Sequence, residues 1–220
     1  MAKANPRIAL IHATSVAVEP INAAMKAGWP EAEPVNILDD SLSVDRAKAA
    51  ELSPLIIERI VDLAGYARKL GSDGILFTCS AFGQAIEEAA SGSSIPVLKP
   101  NEAMFEAAIA HGRNTAMIVT FAPSRAGMEA EFAAEAMRLG SDATLTSFLV
   151  EPAMAALGSG DAQTHNRLVA EQAKSLDGFD AIVLAQFSTA RAAAAVRQSV
   201  DRPVFTSPET AVAKLRRLLA

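Results

Sequence analysis

Gly74-Ile75-Leu76-Phe77-Thr78-Cys79-Ser80-Ala81-Phe82-Gly83 and Ala181-Ile182-Val183-Leu184-Ala185-Gln186-Phe187-Ser188-Thr189 decide the fold. Each is a short apolar run that breaks into a polar turn, and the second lies 107 positions after the first. The same displacement puts Arg7-Ile8-Ala9-Leu10-Ile11 on Asn114-Thr115-Ala116-Met117-Ile118 and Leu38 on Leu145. It also puts Gly71-Ser72-Asp73 on Gly178-Phe179-Asp180, Pro96-Val97 on Pro203-Val204, and Glu102 on Glu209. Short periods of roughly 20 to 50 residues signal solenoids. A period near half the chain signals two similar halves facing each other. The first repeat is read as residues 1–107, with Cys79, and the second as 108–220, with Gln186; exchange of the C-terminal helix between them is compatible with this division.

Strands are expected near Ile8–Ala13, Val35–Leu38, Gly74–Thr78 and Ile95–Leu98, then near Thr115–Phe121, Ala143–Phe148, Ala181–Ala185 and Val204–Thr206. They are continuous apolar runs, as in parallel sheets covered on both faces. Helices fit between them. One begins at Glu19-Pro20 and stops at Gly28. Another has Ser53 as N-cap, Pro54 in its first turn and Gly71 past its end. Its apolar face is predicted to hold Leu52, Leu55, Ile56, Ile60, Leu63 and Leu70. His165 is expected on the surface of a helix over 161–177. The alternation means α/β architecture with right-handed crossovers. Each half is a Rossmann-like or flavodoxin-like subdomain with a four-stranded parallel sheet. Ligands of such sheets bind beyond the carboxyl ends of the strands, so the active site is expected in a cleft between two pseudosymmetric subdomains.

Composition narrows the function. The 220 residues are half hydrophobic, and 20 basic residues face 25 acidic ones, for a net charge of −5. No basic patch is visible, which excludes a nucleic-acid partner. The start, Met1-Ala2-Lys3-Ala4-Asn5-Pro6, is too short and polar for a signal peptide, and no segment approaches the roughly 18 to 20 apolar residues of a membrane span. The single cysteine cannot form an internal disulfide or a thiolate zinc cluster and suits a reducing cytoplasm. His12, His111 and His165 lack ligand spacing, so no metal site is expected. No dinucleotide fingerprint, P-loop or G-x-S-x-G elbow is present. Asp39-Asp40 invites comparison with a receiver-domain acidic pocket, but that pocket needs acids where this chain has His12 and Cys79.

Chemistry is expected at the strand ends. A helix following Cys79 directs unpaired N–H groups and a positive dipole end at it, which favours the reactive thiolate. The same geometry holds carboxylates. The expected anion site is the backbone N–H groups of Ser80, Ala81, Phe187 and Ser188, assisted by the hydroxyls of Ser80, Ser188 or Thr120. Thr78 and Ser15 adjoin it, and His12 is the titratable group able to assist the thiol or hold a carboxylate. Thr14, Ser124, Arg125, Lys99, Asn101, Glu102, Ser207 and Glu209 also follow strands; for each, a helix cap or solvated turn is the simpler assignment. Phe82, Phe121 and Phe187 hint at a partly hydrophobic pocket.

The two-fold repeat with Thr78-Cys79-Ser80 after the third strand resembles the aspartate, glutamate and hydantoin racemase superfamily, which also includes maleate isomerase and arylmalonate decarboxylase. The resemblance covers nearly the whole chain. It implies a cofactor-independent enzyme acting on a small carboxylate from a site between two α/β subdomains, and a homo-oligomer, with a dimer as the favoured form. In the family's racemases each half supplies one cysteine, and the two exchange protons on opposite faces of the α-carbon. Here Cys79 is present, but the second position carries Gln186, whose amide cannot serve as acid or base. Arylmalonate decarboxylase is a one-cysteine precedent, although its thiol lies in the second half. Decarboxylation, cis–trans isomerisation and racemisation with a substitute group all stay open. So does a non-catalytic small-molecule binding or sensor protein on the same fold.

Overall fold

The computed structural model describes residues 5–48 and 51–220; residues 1–4, where the signal-peptide question falls, lie outside it. The chain forms two compact units, Met1–Pro100 with Ala211–Ala220, and Asn101–Thr210.

The first unit contains β1 (Arg7–His12), α1 (Val18–Gly28), β2 (Glu33–Leu38), α2 (Ser41–Ala47), α3 (Pro54–Lys69), β3 (Gly74–Phe77), α4 (Gly83–Ala90) and β4 (Val97–Leu98). Its sheet is parallel throughout, in the order β2-β1-β3-β4. Ala9 and Ile11 of β1 and Ile75 and Phe77 of β3 pack against Ile56, Ile60, Ala64 and Ala67 of α3 and Ala85, Ile86 and Ala89 of α4. The Ser53 hydroxyl caps α3 by accepting from Ile56 N–H, a contribution of about 1 kcal/mol. Gly71 past its end adopts a φ of 72°, which favours glycine. Leu55 differs from its expected burial and is 63% exposed. The inward stripe runs through positions 56, 60, 64 and 67, where alanines let the helix approach the sheet, and Leu55 lies beside that stripe.

The second unit contains α5 (Glu102–His111), β5 (Asn114–Val119), α6 (Arg125–Arg138), β6 (Thr144–Leu149), α7 (Glu151–Gly158), α8 (Ala162–Lys174), β7 (Ala181–Leu184), α9 (Ala193–Ser199) and β8 (Val204–Thr206). The parallel order β6-β5-β7-β8 repeats the first sheet. The final helix, α10 (Ser207–Leu218), follows β8, and most of it belongs to the first unit. There Leu215 lies against the start of β3, where a side chain at Gly74 would come within 3.2 Å of it. Conversely α5 follows β4 but packs on the second sheet through Met104, Phe105 and Ala108. The packing boundary therefore falls at residue 100, ahead of the repeat boundary at 107.

Two features differ from the sequence reading. The repeat is not gapless. β1 starts at Arg7 and pairs with Glu33, whereas β5 starts at Asn114 and pairs with Thr144, so the second connection is four residues longer. The structural counterpart of Leu38 is Leu149 rather than Leu145. His165 is fully buried instead of superficial. It shares the inward stripe of α8 with Val169 and Ala173, four and eight positions further on.

Both sheets repeat one fastening. Asp73 accepts from Arg7 N–H at 2.7 Å, and Asp180 accepts from Arg113 and Asn114 N–H at 2.8 and 2.9 Å. In the second unit this brings Asp180 so near Gly112 that a Cβ there would stand 2.4 Å from the aspartate Cβ. Gly112→Ala is therefore expected to destabilise the protein by about 1–3 kcal/mol, read as a lower urea midpoint at unchanged slope.

Candidate active site

In a parallel sheet every strand ends at the same edge, so each unit gathers its strand-end turns on one side. In the first unit Cys79 follows β3 in extended conformation (φ −126°, ψ 122°) and heads a 3-10 turn, Ser80–Phe82. This turn separates the thiol from α4, which begins only at Gly83. The thiol receives the Ala81 N–H and feels the Arg46 guanidinium, and both favour the thiolate. Burial outweighs them and pushes the Cys79 thiol up. The expected thiolate-stabilising field is thus overridden in the free protein, because loss of water around sulfur costs more than one N–H and a neighbouring cation return.

Thr78 and His12 lie immediately behind the thiol. Thr78 N–H donates to Ile11 O at 3.0 Å, and its hydroxyl lies 2.9 Å from His12 Nδ1. His12 Nε2 lies 2.9 Å from Asn36 Oδ1. The imidazole is fully buried, with both nitrogens engaged, and desolvation holds its pKa below the ordinary value. Ser15 is exposed at the start of its turn, while Ser80 and Ala81 are half-buried beside Cys79. Phe82 points into the hydrophobic core of its own unit and not into a pocket.

In the second unit Gln186 follows β7 at the position equivalent to Cys79. Its Oε1 accepts from Thr120 N–H at 2.8 Å, Thr120 hydroxyl at 2.9 Å and Thr189 hydroxyl at 3.2 Å. Its Nε2 donates to Ser124 Oγ at 3.0 Å, leaving one amide hydrogen outside this network. The amide is a fixed donor, and the Thr120 hydroxyl is committed to holding it. Phe187 and Ser188 are buried next to it, whereas Phe121 is 46% exposed. The remaining strand-end residues are tied down locally. Lys99 pairs with Glu87, Glu209 with Arg197, Arg125 with Glu129, and buried Ser207 donates to Asn101 at 2.7 Å.

Sequence reasoning missed Arg46 and Asn36. Arg46 lies on α2 and donates to Ala81 O at 3.3 Å, a contact across 35 positions that no local motif announces. Arg59 steadies that helix by binding Asp39 at its head and Asp45 within it. Asn36 sits on edge strand β2. A groove of about 460 Å³ on α8 and α9, lined in part by Arg167, Lys174 and Ser199, contains none of the strand-end residues. Among the described residues no group of three or more His, Cys, Asp or Glu is placed to hold a metal ion, and no helix is long and apolar enough to cross a membrane.

Two measurements check these electrostatics. Native Cys79 is expected to react with iodoacetamide more slowly at pH 7.5 than in the unfolded chain and to accelerate as pH rises; Arg46→Gln slows it at least about threefold further, because a neighbouring cation favours the thiolate. Burial also depresses the values of His12 and His165 below 6.5. Between those depressed values and about 6.5 the unfolded chain binds more protons than the folded one, so stability falls on acidification. Unfolding free energy should drop between pH 7 and pH 5, and drop less in His165→Gln.

The chain matches the family model for Asp/Glu/hydantoin racemase over residues 8–215. Among solved structures it is similar to allantoin racemase from Klebsiella pneumoniae, with a TM-score of 0.73 at 20% identity over 98% of this chain and 88% of that one. Aspartate racemase from Picrophilus torridus gives a TM-score of 0.73 at 12% identity over 98% and 94% of the two chains. A variant of arylmalonate decarboxylase in the sulfate ion associated form gives 0.71 at 16% identity over 97% and 93%. No curated protein matches significantly. At such identities the structures speak for the fold, while the family model spans nearly the whole sequence: the protein belongs to the Asp/Glu/hydantoin racemase family.

Proposed function

We propose that the protein is a cofactor-independent enzyme that uses Cys79 as a one-face acid on a small carboxylate, with Gln186, at the equivalent strand end of the second unit, as a hydrogen-bond donor. The observation that carries this reading is the unequal pair at equivalent strand ends. One half presents a thiol, and the other a hydrogen-bonded amide with no proton to exchange near neutral pH. Two-base racemisation needs a titratable group on each face, and His12, buried with both nitrogens engaged, is a poor substitute.

A thiol held protonated by burial suits proton donation. In decarboxylation the bond to the leaving carboxyl breaks, carbon dioxide departs, and its electron pair passes into an enediolate. Cys79 then gives its proton to the α-carbon and recovers one from solvent. The uncommitted Gln186 amide hydrogen and the N–H groups of Ser80, Phe187 and Ser188 bind the retained carboxylate as it becomes the enediolate, while the Ala81 N–H stays on the sulfur. Thiolate addition, rotation and elimination across a double bond also needs a single nucleophile, but it starts from the form that burial disfavours. The reading includes a cytoplasmic location, in keeping with a lone thiol, and a homo-oligomer. Similarity to an arylmalonate decarboxylase variant supports it at the level of the fold.

The experiment is turnover of substituted malonates, amino acids and maleate in deuterated water. A malonate-type diacid is expected to yield one deuterated enantiomer. Cys79→Ala should abolish turnover, and Gln186→Ala should lower it by about two orders of magnitude, the usual loss for one donor to a developing oxyanion. A racemic product formed at the enzymatic rate would defeat the one-face mechanism. Tight binding without turnover of any of these acids would mark a sensor instead.

A further inference from the structure

We propose that His12 is a positioning residue, fixed in a single tautomer by Asn36 and Asn22 and acting on the Cys79 turn through the Thr78 hydroxyl. The proposal rests on Cys79 being the reacting group.

The direction of every hydrogen in the chain follows from its outer end. Asn22 Nδ2 donates one hydrogen to Val18 O at 2.7 Å and one to Asn36 Oδ1 at 3.0 Å. Asn36 returns a hydrogen from Nδ2 to Asn22 Oδ1 at 3.3 Å. The Asn36 oxygen is therefore the atom that faces His12 Nε2 at 2.9 Å, and an oxygen acceptor there requires Nε2 to carry the proton. A neutral ring protonated at Nε2 leaves a lone pair on Nδ1, so Thr78 must donate its hydroxyl hydrogen to it across 2.9 Å. The competing acceptor for that hydrogen, Ile11 O, is farther at 3.3 Å. Burial disfavours imidazolium, which would reverse the bond to Thr78.

The result is a two-point clamp on the residue preceding the thiol. Thr78 N–H is held by β1 through Ile11 O, and its side chain is held by His12. Only the half with the thiol contains it. At the equivalent positions of the second sheet stand Val119 and Ala185, which have no polar side chains. A device needed merely to close such a sheet would be expected in both halves. Full burial denies His12 contact with a dissolved ligand, so its influence runs through Thr78.

The test pairs a signature of the ring with the reactivity of the thiol. Nitrogen-15 NMR of labelled protein at pH 7.5 is expected to show His12 as the neutral Nε2–H tautomer, and Asn36→Ala to give a mixture of tautomers. Native Cys79 should react with iodoacetamide at least about threefold faster in Asn36→Ala and Thr78→Val, because a freed turn exposes sulfur. Thr78→Ser, which keeps the hydroxyl, should restore the parent rate within about twofold, and all variants should react alike when unfolded. Asn36 is exposed on an edge strand, so its replacement spares the core. An Nδ1–H or charged ring in the parent protein, or parent-like alkylation in both Asn36→Ala and Thr78→Val, would overturn the proposal. Neither readout uses turnover. Failure of the clamp is thus separable from failure of the catalytic reading, which is decided by the activity of Cys79→Ala.

Discussion

Parallel pairing is the constraint on which the rest depends. Because β1 to β4 run in one direction, as do β5 to β8, each chain crossover must return along a helix, and each strand delivers its following turn to the same edge. Apolar packing then leaves those turns as the places where polar groups can gather without disturbing the core. Cys79, Thr78 and His12 meet in the first unit for this reason, and Gln186, Thr120, Ser124 and Thr189 in the second.

The two units use their strand ends differently. In the first, dehydration dominates. Sulfur is kept protonated despite an N–H and a guanidinium nearby, and the imidazole behind it is kept neutral. In the second, hydrogen bonding dominates. Thr120 offers both its backbone N–H and its hydroxyl to one amide oxygen, which fixes where the Gln186 donor points. Leaving such a buried N–H unsatisfied costs about 1–3 kcal/mol. A side chain smaller than glutamine at 186 would therefore lose geometry as well as a donor. A buried thiol at one strand end and a hydrogen-bonded amide at its equivalent are the main chemical difference between the two halves of the duplicated fold.

Much of this was legible in the residues because the signals are local. The Ser53 cap, the glycine turn at Gly71 and the eight short apolar runs depend on neighbours a few positions away, and each element forms where those neighbours indicate. The β4 segment is shorter than expected because Pro96 enters the ladder only as an acceptor, taking the Ile75 N–H through its carbonyl. Periodicity alone misjudged two helix faces. Leu55 is apolar but sits beside the buried stripe of α3, and His165 is polar but sits within that of α8.

The sequence by itself determined the duplication, the alternation of strand and helix, and the equivalence of Cys79 with Gln186, since all three are patterns of residue type along one chain. Only the tertiary structure decided which side chains meet. Arg46 reaches the Cys79 turn from another helix, and Asn36 reaches His12 from a neighbouring strand. The four-residue slip between β2 and β6 and the placement of α5 and α10 were likewise decided by packing. The protonation preference of the thiol belongs with them. Sequence position supplies the N–H and the nearby charge, but the cost of removing water from sulfur depends on every group that folds around it.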